Sequence, residues 1–143
     1  MLMKDKKGLI MGVANNRSIA WGIAKIIAEH GGKLAFTYQG EALKKRVEPL
    51  ANTLGSKLVI PCDVSNAESI KDTFKTISKE WGSLDFIVHA IGFSDRDELR
   101  GKYINTSLAN FNNTMRISCY SFTEVCRLAE PYLNNEGLSL IHI

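Results

Sequence analysis

The stretch with the clearest chemical potential combines a glycine, a serine and an alanine at Gly12, Ser18 and Ala20. The apolar run Leu9–Met11 before them predicts a strand, and the residues from Ile19 onward predict a helix. Unpaired backbone N–H groups and the positive end of the helix dipole meet at such a junction, which favours binding of a pyrophosphate. Gly12 permits a sharp turn, Ser18 is suited to capping the helix or bonding a phosphate, and Ala20 permits close helix packing.

The spacing of this loop differs from the common dinucleotide fingerprint, in which three glycines stand close together. Here Gly12 is separated by five residues from Ser18, and one further residue separates Ser18 from Ala20. An ordinary strand-to-helix turn with a serine cap and no ligand accounts for the same residues. The loop alone therefore leaves a phosphate site and a simple turn as alternatives.

Apolar periodicity after this loop predicts helices that alternate with strands. The helices are expected at Ile19–Glu29, Glu41 to about Leu54 with a kink or break at Pro49, Ser65 or Asn66 to Trp81, and about Leu108 to Leu133. The strands after the first are expected at Lys33–Tyr38, Leu58–Ile60, Leu84–Ala90 and Gly137–Ile143. This alternation is typical of an α/β fold with a doubly wound parallel sheet, the Rossmann fold.

Ligands of such a sheet bind beyond the carboxyl ends of its strands, where the strand order reverses. The candidate contacts therefore follow the predicted strands directly, at Gly12 to Ile19, Gln39, Asp63, Val64, Ala90, Ile91 and Gly92. Asp63 is suited to accept a hydrogen bond from an adenine amino group, and Val64 to pack on the ring. Ala90 and Gly92 are small enough to leave room for a ribose and a nicotinamide. Each also has an ordinary explanation, as a helix cap, a core valine or a turn residue.

Length and composition exclude several classes of protein. The chain has 143 residues, 45% hydrophobic and 23% charged, which fits one globular domain and excludes disordered and fibrous proteins. The net charge of +3 comes from scattered lysines and arginines, and the densest cluster, Lys44–Arg46, is explained by the solvated face of a helix. We therefore expect no nucleic-acid partner.

The reactive residue types predict a reducing compartment and no metal site. The three cysteines, Cys62, Cys119 and Cys126, lie in apolar surroundings without a C-x-x-C pair, which is typical of reduced core thiols. The three histidines are far apart in the sequence, so we expect no metal. The charged start, Met1–Lys7, lacks the apolar core of a signal peptide, and no run is long enough for a membrane span. A cytoplasmic protein is expected.

Two features of the second half predict contacts outside the sheet. The polar loop from Ile91 to Ser107 is longer than most strand-to-helix connections, and such loops are usually functional or mobile. The long helix that follows is apolar on more than one face, so we expect it to contact a partner subunit.

Four motifs together resemble the bacterial enoyl-acyl-carrier-protein reductases, a divergent branch of the short-chain dehydrogenase/reductase family. They are Gly12-x5-Ser18-x-Ala20, Phe36-Thr37-Tyr38-Gln39, Cys62-Asp63-Val64 and His89-Ala90-Ile91-Gly92-Phe93, and the similarity runs from about Lys7 to Gly137. The resemblance implies NADH contacts at Gly12, Ser18, Ile19, Gln39, Asp63, Val64 and Ile91. It places Ser94 at the start of the loop that faces the substrate, and it implies a homotetramer acting on enoyl thioesters of acyl carrier protein.

The cofactor choice also has a physical argument. An NADPH enzyme usually places a basic residue after the second strand to meet the 2′-phosphate. Gln39–Glu41 offers no such residue and adds a carboxylate, so NADH is favoured, with Lys44 and Lys45 as the residues that could oppose this.

The chain departs from the family at its end. The family has two tyrosines and a lysine just after the fifth strand, and the chain stops before them, so we assign no catalytic residue. We therefore interpret residues 1–143 as one NAD-binding Rossmann domain, incomplete at the C-terminus, that binds cofactor at best. Leu138–Ile143 also differs from the family's pattern, which raises the alternative of a foreign or out-of-frame tail.

Two alternative functions remain open from the residues. One is a non-catalytic dinucleotide-binding module. The other is a flavodoxin-like receiver or interaction domain, which the absence of a carboxylate at Met11–Gly12 disfavours.

Overall fold

The computed structural model describes residues 1–134 and 139–142, and its five strands form one parallel sheet. The strands are Lys7–Met11 (β1), Lys33–Tyr38 (β2), Val59–Pro61 (β3), Phe86–His89 (β4) and Ser139–His142 (β5). Their order is β3-β2-β1-β4-β5, with every neighbouring pair parallel. The chain places β2 and then β3 on one side of β1, and afterwards places β4 and then β5 on the other side. The predicted doubly wound sheet is therefore confirmed, and its order reverses between β1 and β4.

The helices flank this sheet on both faces. They are Ile19–Glu29 (α1), Glu41–Thr53 (α2), Ala67–Trp81 (α3), Leu108–Met115 (α4) and Ser121–Ala129 (α5). A π-helical turn, Arg116–Tyr120, joins α4 to α5, and single 3₁₀ turns lie at Tyr103–Asn105 and Glu130–Tyr132. The bounds predicted for α1 and β2 are confirmed. The fifth strand was predicted at Gly137–Ile143, of which residues 137, 138 and 143 lie outside the described residues.

Two of the helix predictions need correction. Of the kink or break expected at Pro49, the break does not occur, and α2 continues through Pro49 to Thr53. Pro49 and Lys45 are both exposed, so the Lys45 carbonyl that loses its helical donor can be solvated. The single helix expected from Leu108 to Leu133 is instead divided by the π-helical turn and ends in a 3₁₀ turn at Pro131, which lacks the amide an α-helix needs.

Two hydrophobic clusters hold the helices to opposite faces of the sheet. Successive strand residues point to opposite faces, so Leu9 and Met11 join the cluster beneath α3 and α5, while Ile10 joins the cluster beneath α1 and α2. The first cluster includes the fully buried Phe74, whose ring stacks on Tyr132. The second cluster includes Phe36, Ala20, Ala24 and Val47. Burial of Ala20 agrees with its predicted role in close packing.

The third helix begins and ends with well-defined caps. Of the two predicted N-caps it uses Asn66, whose side chain accepts from the Glu68 amide. Gly82 ends the helix with a positive φ of 78°. Between these caps the apolar stripe Ile70, Phe74 and Ile77 is completely buried.

The cysteines occupy three different environments. Cys62 is buried, Cys126 is half-buried and Cys119 is exposed, so the prediction of core thiols is wrong for Cys119. Cys119 lies in the π-helical turn. Burial raises the pKa of the Cys62 thiol, which is therefore protonated near neutral pH. Among the described helices, none is both long enough and apolar enough to cross a membrane.

A buried carboxylate fastens β4 to the start of β1. The side chain of Asp85 is only 11% exposed and accepts hydrogen bonds from the Lys7 amide at 2.7 Å and the Asn134 side chain at 3.0 Å. The ammonium of Lys6 lies 3.4 Å away. Burial alone would raise the pKa of Asp85, but these donors outweigh it and hold the pKa below its usual value.

We predict that Asp85→Ala lowers the free energy of unfolding by roughly 1–3 kcal/mol, because it leaves the half-buried Lys7 amide without its side-chain acceptor. A carboxyl whose pKa is lowered by folding stabilises the protein above its unfolded pKa of about 3.9. The advantage of the parent chain should therefore shrink as the pH falls from about 4 through the lower pKa of the folded state. Urea unfolding at several pH values measures both effects.

Asp72→Ala is the control, because Asp72 forms an exposed pair with Lys75 at 3.0 Å. It should cost at most about 1 kcal/mol. Equal losses for the two variants would contradict the role assigned to Asp85.

Candidate functional site

The tips of the first four strands meet at one cavity of about 320 Å³. It lies at the carboxyl edge of the sheet, where the strand order reverses. The lining residues are Gly12, Val13, Ala14, Thr37, Tyr38, Gln39, Leu43, Cys62, Asp63, Val64, Ser65, Ala90, Ile91, Gly92, Phe93 and Ile117. Its volume is within the range of small-molecule and cofactor sites.

The residues predicted to bind a cofactor divide into two groups. Gly12, Gln39, Asp63, Val64 and Ile91 all line the cavity. The structure thus brings the strand tips together as the sequence predicts. Among the described residues, Ser18, Ile19 and Ser94 do not line the cavity.

Gly12 is required by the approach of β1 to β4. Its φ is +101°, and a Cβ built on it would overlap the carbonyl oxygen of Ala90. The Ala90 amide in turn donates to the Met11 carbonyl at 3.0 Å. Only glycine satisfies both the dihedral angle and the contact, so the backbone itself forms this wall of the cavity.

Ser18 organises the loop between β1 and α1. Its Oγ accepts from the Ala14 amide at 2.9 Å and the Asn15 amide at 3.0 Å, and it donates to the Asn15 carbonyl. Although Ser18 occupies the N-cap position, its side chain does not cap α1, so that part of the prediction is wrong. The local loop amides compete successfully for the hydroxyl. The first turn of α1 consequently keeps amides without a side-chain cap, beginning at the exposed Ile19.

The tip of β3 presents a carboxylate in a fixed orientation. Asp63 Oδ1 accepts from the Ser65 amide at 2.8 Å and from the Ser65 hydroxyl at 2.6 Å. The Asp63 amide donates to Ser69 Oγ at 2.9 Å. The other oxygen, Oδ2, makes no hydrogen bond within the described part of the chain. Val64, which follows, is buried and belongs to the core while it also lines the cavity.

One buried and one exposed polar pair hold the tip of β4 against the long helical segment, residues 108–132. His89 Nε2 lies 2.8 Å from Ser121 Oγ, and that hydroxyl donates to the Ile117 carbonyl at 2.6 Å. Because the hydroxyl has a single hydrogen, His89 Nε2 acts as the donor to it. Ser118 Oγ accepts from the Phe93 amide at 3.0 Å and lies 3.1 Å from the Phe93 carbonyl. Residues 90–93 are therefore fixed at both ends.

Ser94 belongs to a separate hollow between the polar loop and α4. Its Oγ accepts from Asn110 Nδ2 at 3.1 Å and from the Thr114 hydroxyl at 2.9 Å. Glu98 accepts from the amide and the hydroxyl of Ser107, which is the N-cap of α4. These bonds with the Ser107 hydroxyl and amide lower the pKa of Glu98. The polar loop is thereby tied to the start of α4.

Sequence reasoning missed the cavity residues that do not follow a strand directly. Leu43 comes from α2 and Ile117 from the π-helical turn, so the rule that ligands meet strand tips does not find them. Tyr38 and Phe93 are each next to a predicted residue, and a margin of one position would have included them. Within the described residues, no cluster of three histidine, cysteine or acidic side chains is placed to hold a metal ion.

The fold and the cavity define a doubly wound α/β domain with its crevice at the nucleotide-binding position. A family model described as "Enoyl-(Acyl carrier protein) reductase" matches residues 12–143. Over 139 residues the chain is 55% identical to enoyl-[acyl-carrier-protein] reductase [NADH] 2 of Rhizobium meliloti. It is 51% identical to FabI, an enoyl-[acyl-carrier-protein] reductase [NADH] of Rickettsia bellii. These matches cover 97% and 95% of this chain and 52% of each relative.

Solved structures of enoyl-acyl-carrier-protein reductases also match this chain. The enoyl-(acyl-carrier-protein) reductase of Anaplasma phagocytophilum in complex with NAD matches with a TM-score of 0.91 and 56% identity, over 98% of this chain and 54% of that one. The NADH enzyme of Aquifex aeolicus matches with a TM-score of 0.93 and 44% identity, over 98% and 56% respectively. The chain spans about half the length of the curated relatives it matches. It belongs to the enoyl-(acyl carrier protein) reductase family, as its motifs predict.

We predict that Gly12→Ala lowers the free energy of unfolding by more than 2 kcal/mol, since it combines a strained φ with an overlap against backbone that cannot move freely. The measurement is thermal or urea unfolding of both proteins. Gly55→Ala is the matched control, because Gly55 has a φ of +73° but open space around its Cβ position. It should cost about 1 kcal/mol from the dihedral angle alone. A Gly12→Ala variant as stable as Gly55→Ala would contradict the close approach of β1 to β4.

Proposed function

We propose that this chain is the NAD-binding Rossmann domain, residues 1–143, of an NADH-dependent enoyl-[acyl-carrier-protein] reductase. The observation that carries the proposal is the convergence of four strand tips on one cavity where the sheet reverses its order. The family membership and the names of the relatives support the reaction class. The complete protein would act in fatty-acid synthesis.

The residues present fit a dinucleotide. Gly12 forms a cavity wall made of backbone alone, which lets a pyrophosphate approach closely. The uncapped first turn of α1, at Ile19, supplies amides and the positive end of a helix dipole. Ser18 contributes by shaping the loop between them. We propose that these three residues hold the phosphates.

The adenine half of the cofactor is assigned to the tip of β3. Asp63 Oδ2 would accept the hydrogen bond of the adenine amino group, because Oδ1 is occupied by Ser65. Val64 would pack against the ring. Gln39, at the tip of β2, would lie near the adenine ribose.

The nicotinamide half is assigned to the tip of β4, where Ile91 lines the cavity. Phe93 is anchored by Ser118, which keeps residues 90–93 in place. When bound, NADH supplies the hydride that is transferred to the β-carbon of a trans-2-enoyl thioester. Ser94 is proposed to contribute to the substrate side through its hollow with Asn110 and Thr114. We assign no catalytic residue to this chain, and none of its residues is proposed to bind a metal.

The proposed preference for NADH rests on the charges around Gln39. Lys44, the nearest basic side chain in the sequence, lies 4.0 Å from both Glu41 and Glu48, and its ammonium is 6.0 Å from the ring centroid of Tyr38. Its charge is therefore balanced by two carboxylates. A 2′-phosphate at the tip of β2 would be repelled by Glu41 and would compete with two carboxylates for Lys44.

Assembly and location are also proposals. Phe111, Met115 and Tyr120 form an exposed apolar strip on α4 and the π-helical turn, which supports a homo-oligomer, a tetramer by family resemblance. The free cysteines, including the exposed Cys119, fit a reducing compartment, so we propose a cytoplasmic location.

We predict that the complete protein oxidises NADH when given a trans-2-enoyl thioester of acyl carrier protein, with a lower KM for NADH than for NADPH. Steady-state kinetics with both cofactors measures this. Binding of NADH without any thioester reduction would instead support a non-catalytic dinucleotide-binding module. A clear preference for NADPH would contradict the assignment of Gln39.

Gln39→Arg should improve kcat/KM for NADPH by about tenfold or more, because a guanidinium can pair with the 2′-phosphate. The matched controls are Lys44→Gln and Lys45→Gln. They should leave the NADPH parameters nearly unchanged if neither lysine contacts that phosphate.

A further inference from the structure

The π-helical turn Arg116–Tyr120 contacts the cavity from both sides. Arg116 Nη2 donates to the Ser65 carbonyl at 2.7 Å, beside the tip of β3. Two residues later, Ser118 binds the backbone of Phe93, beside the tip of β4. Ile117, between them, lines the cavity. A π-helical turn within an α-helix often marks a functional site, and here it directs consecutive side chains to different loops.

The contact made by Arg116 differs from the other hydrogen bonds of the β3 tip. Those bonds, in the part of the chain that the structure describes, join residues 63–66 only to each other and to the first turns of α3. Arg116 reaches the same loop from 51 positions away in the sequence. It therefore connects this loop to the opposite side of the crevice.

A chain of hydrogen bonds leads from Arg116 to the carboxylate of Asp63. The guanidinium holds the Ser65 carbonyl, and the amide and hydroxyl of Ser65 both donate to Asp63 Oδ1. Because Ser65 uses both of its donors on one oxygen, a rotation of its backbone would carry the carboxylate with it. The direction of Asp63 Oδ2 therefore depends on the position of Ser65, which Arg116 restrains.

We propose that Arg116 is a positioning residue for recognition of the adenine ring, acting through Ser65 and Asp63 without touching the nucleotide. This inference rests on the proposed function, since it needs Asp63 to bind the adenine amino group. It adds a residue on the far side of the cavity to the determinants of cofactor specificity.

Calorimetric titration of the complete protein with three ligands tests the proposal. NADH carries the adenine amino group, nicotinamide hypoxanthine dinucleotide in its reduced form replaces that group by an oxygen, and reduced nicotinamide mononucleotide lacks the base altogether. The variants are Arg116→Gln, Arg116→Lys and the control Arg127→Gln. Arg127 is exposed on α5 and pairs with Glu124 at 3.3 Å, so it has no link to the cavity.

The parent protein should bind NADH more tightly than the hypoxanthine analogue. Arg116→Gln should weaken NADH binding by roughly fivefold, because Asp63 Oδ2 is no longer restrained toward the adenine amino group, and should reduce the preference for adenine. Binding of the mononucleotide should not change. Arg116→Lys should restore part of the NADH affinity, since an ammonium can donate to the same carbonyl, and Arg127→Gln should behave as the parent protein.

Two results would overturn the inference while leaving the proposed function intact. The first is an unchanged adenine preference in Arg116→Gln, and the second is equal weakening of NADH and mononucleotide binding. A parent protein that binds NADH and its hypoxanthine analogue equally well would overturn the inference together with the adenine contact proposed for Asp63, but it would leave the binding of NADH itself intact. Failure of the parent protein to bind NADH would instead overturn the proposed function and this inference with it.

Discussion

The structure depends on the close backbone approach of β1 and β4 just beyond their paired residues. Gly12 turns away from β1 with a positive φ, against the carbonyl of Ala90, the residue that follows β4. A side chain at this point would separate the two strands where the sheet order reverses. The parallel pairings of β1 with β2 and of β2 with β3 bring the tips of those strands to the same edge. The sheet side of the cavity therefore follows from the approach of β1 to β4 and from the common direction of the strands.

The long helical segment completes the site from outside the sheet. It is tied to the β4 tip by the pair His89 and Ser121 and by Ser118, and to the β3 tip by Arg116. These polar contacts join residues that are 25 to 51 positions apart. Apolar packing of Val125 and Ala129 on the core sets the distance of the helix from the sheet. Hydrophobic burial thus places the helix, and hydrogen bonds set its register against the loops.

Local patterns predicted the parts of the fold that local chemistry determines. The apolar periodicity and the flanking Ser18 and glycines define α1, and the same reasoning finds the strand tips that line the cavity, among them Gln39 and Asp63. The motifs also predicted the family correctly. Each of these patterns spans only a few neighbouring residues, so it is visible in a single sequence.

Local sequence patterns did not predict contacts between distant residues, nor the outcome where several local contacts compete. The π-helical turn has no recognisable pattern in its own residues, and its side chains bond to Ser65 and Phe93 on other elements. Ser18 was expected to cap α1 or to bond a phosphate, and it does not cap the helix because the choice among competing local amides depends on the exact path of the loop. A kink or break was expected at Pro49, and the exposed position of Pro49 permits α2 to continue without a break.

A crystal structure of the complete protein with NADH bound would locate the cofactor relative to the strand tips. We expect one cofactor molecule along the carboxyl edge of the sheet, with its phosphates above Gly12, its adenine at Asp63 and its nicotinamide next to Ile91. A cofactor bound elsewhere, or one that contacts Gly12 while its adenine lies away from Asp63, would contradict this expectation.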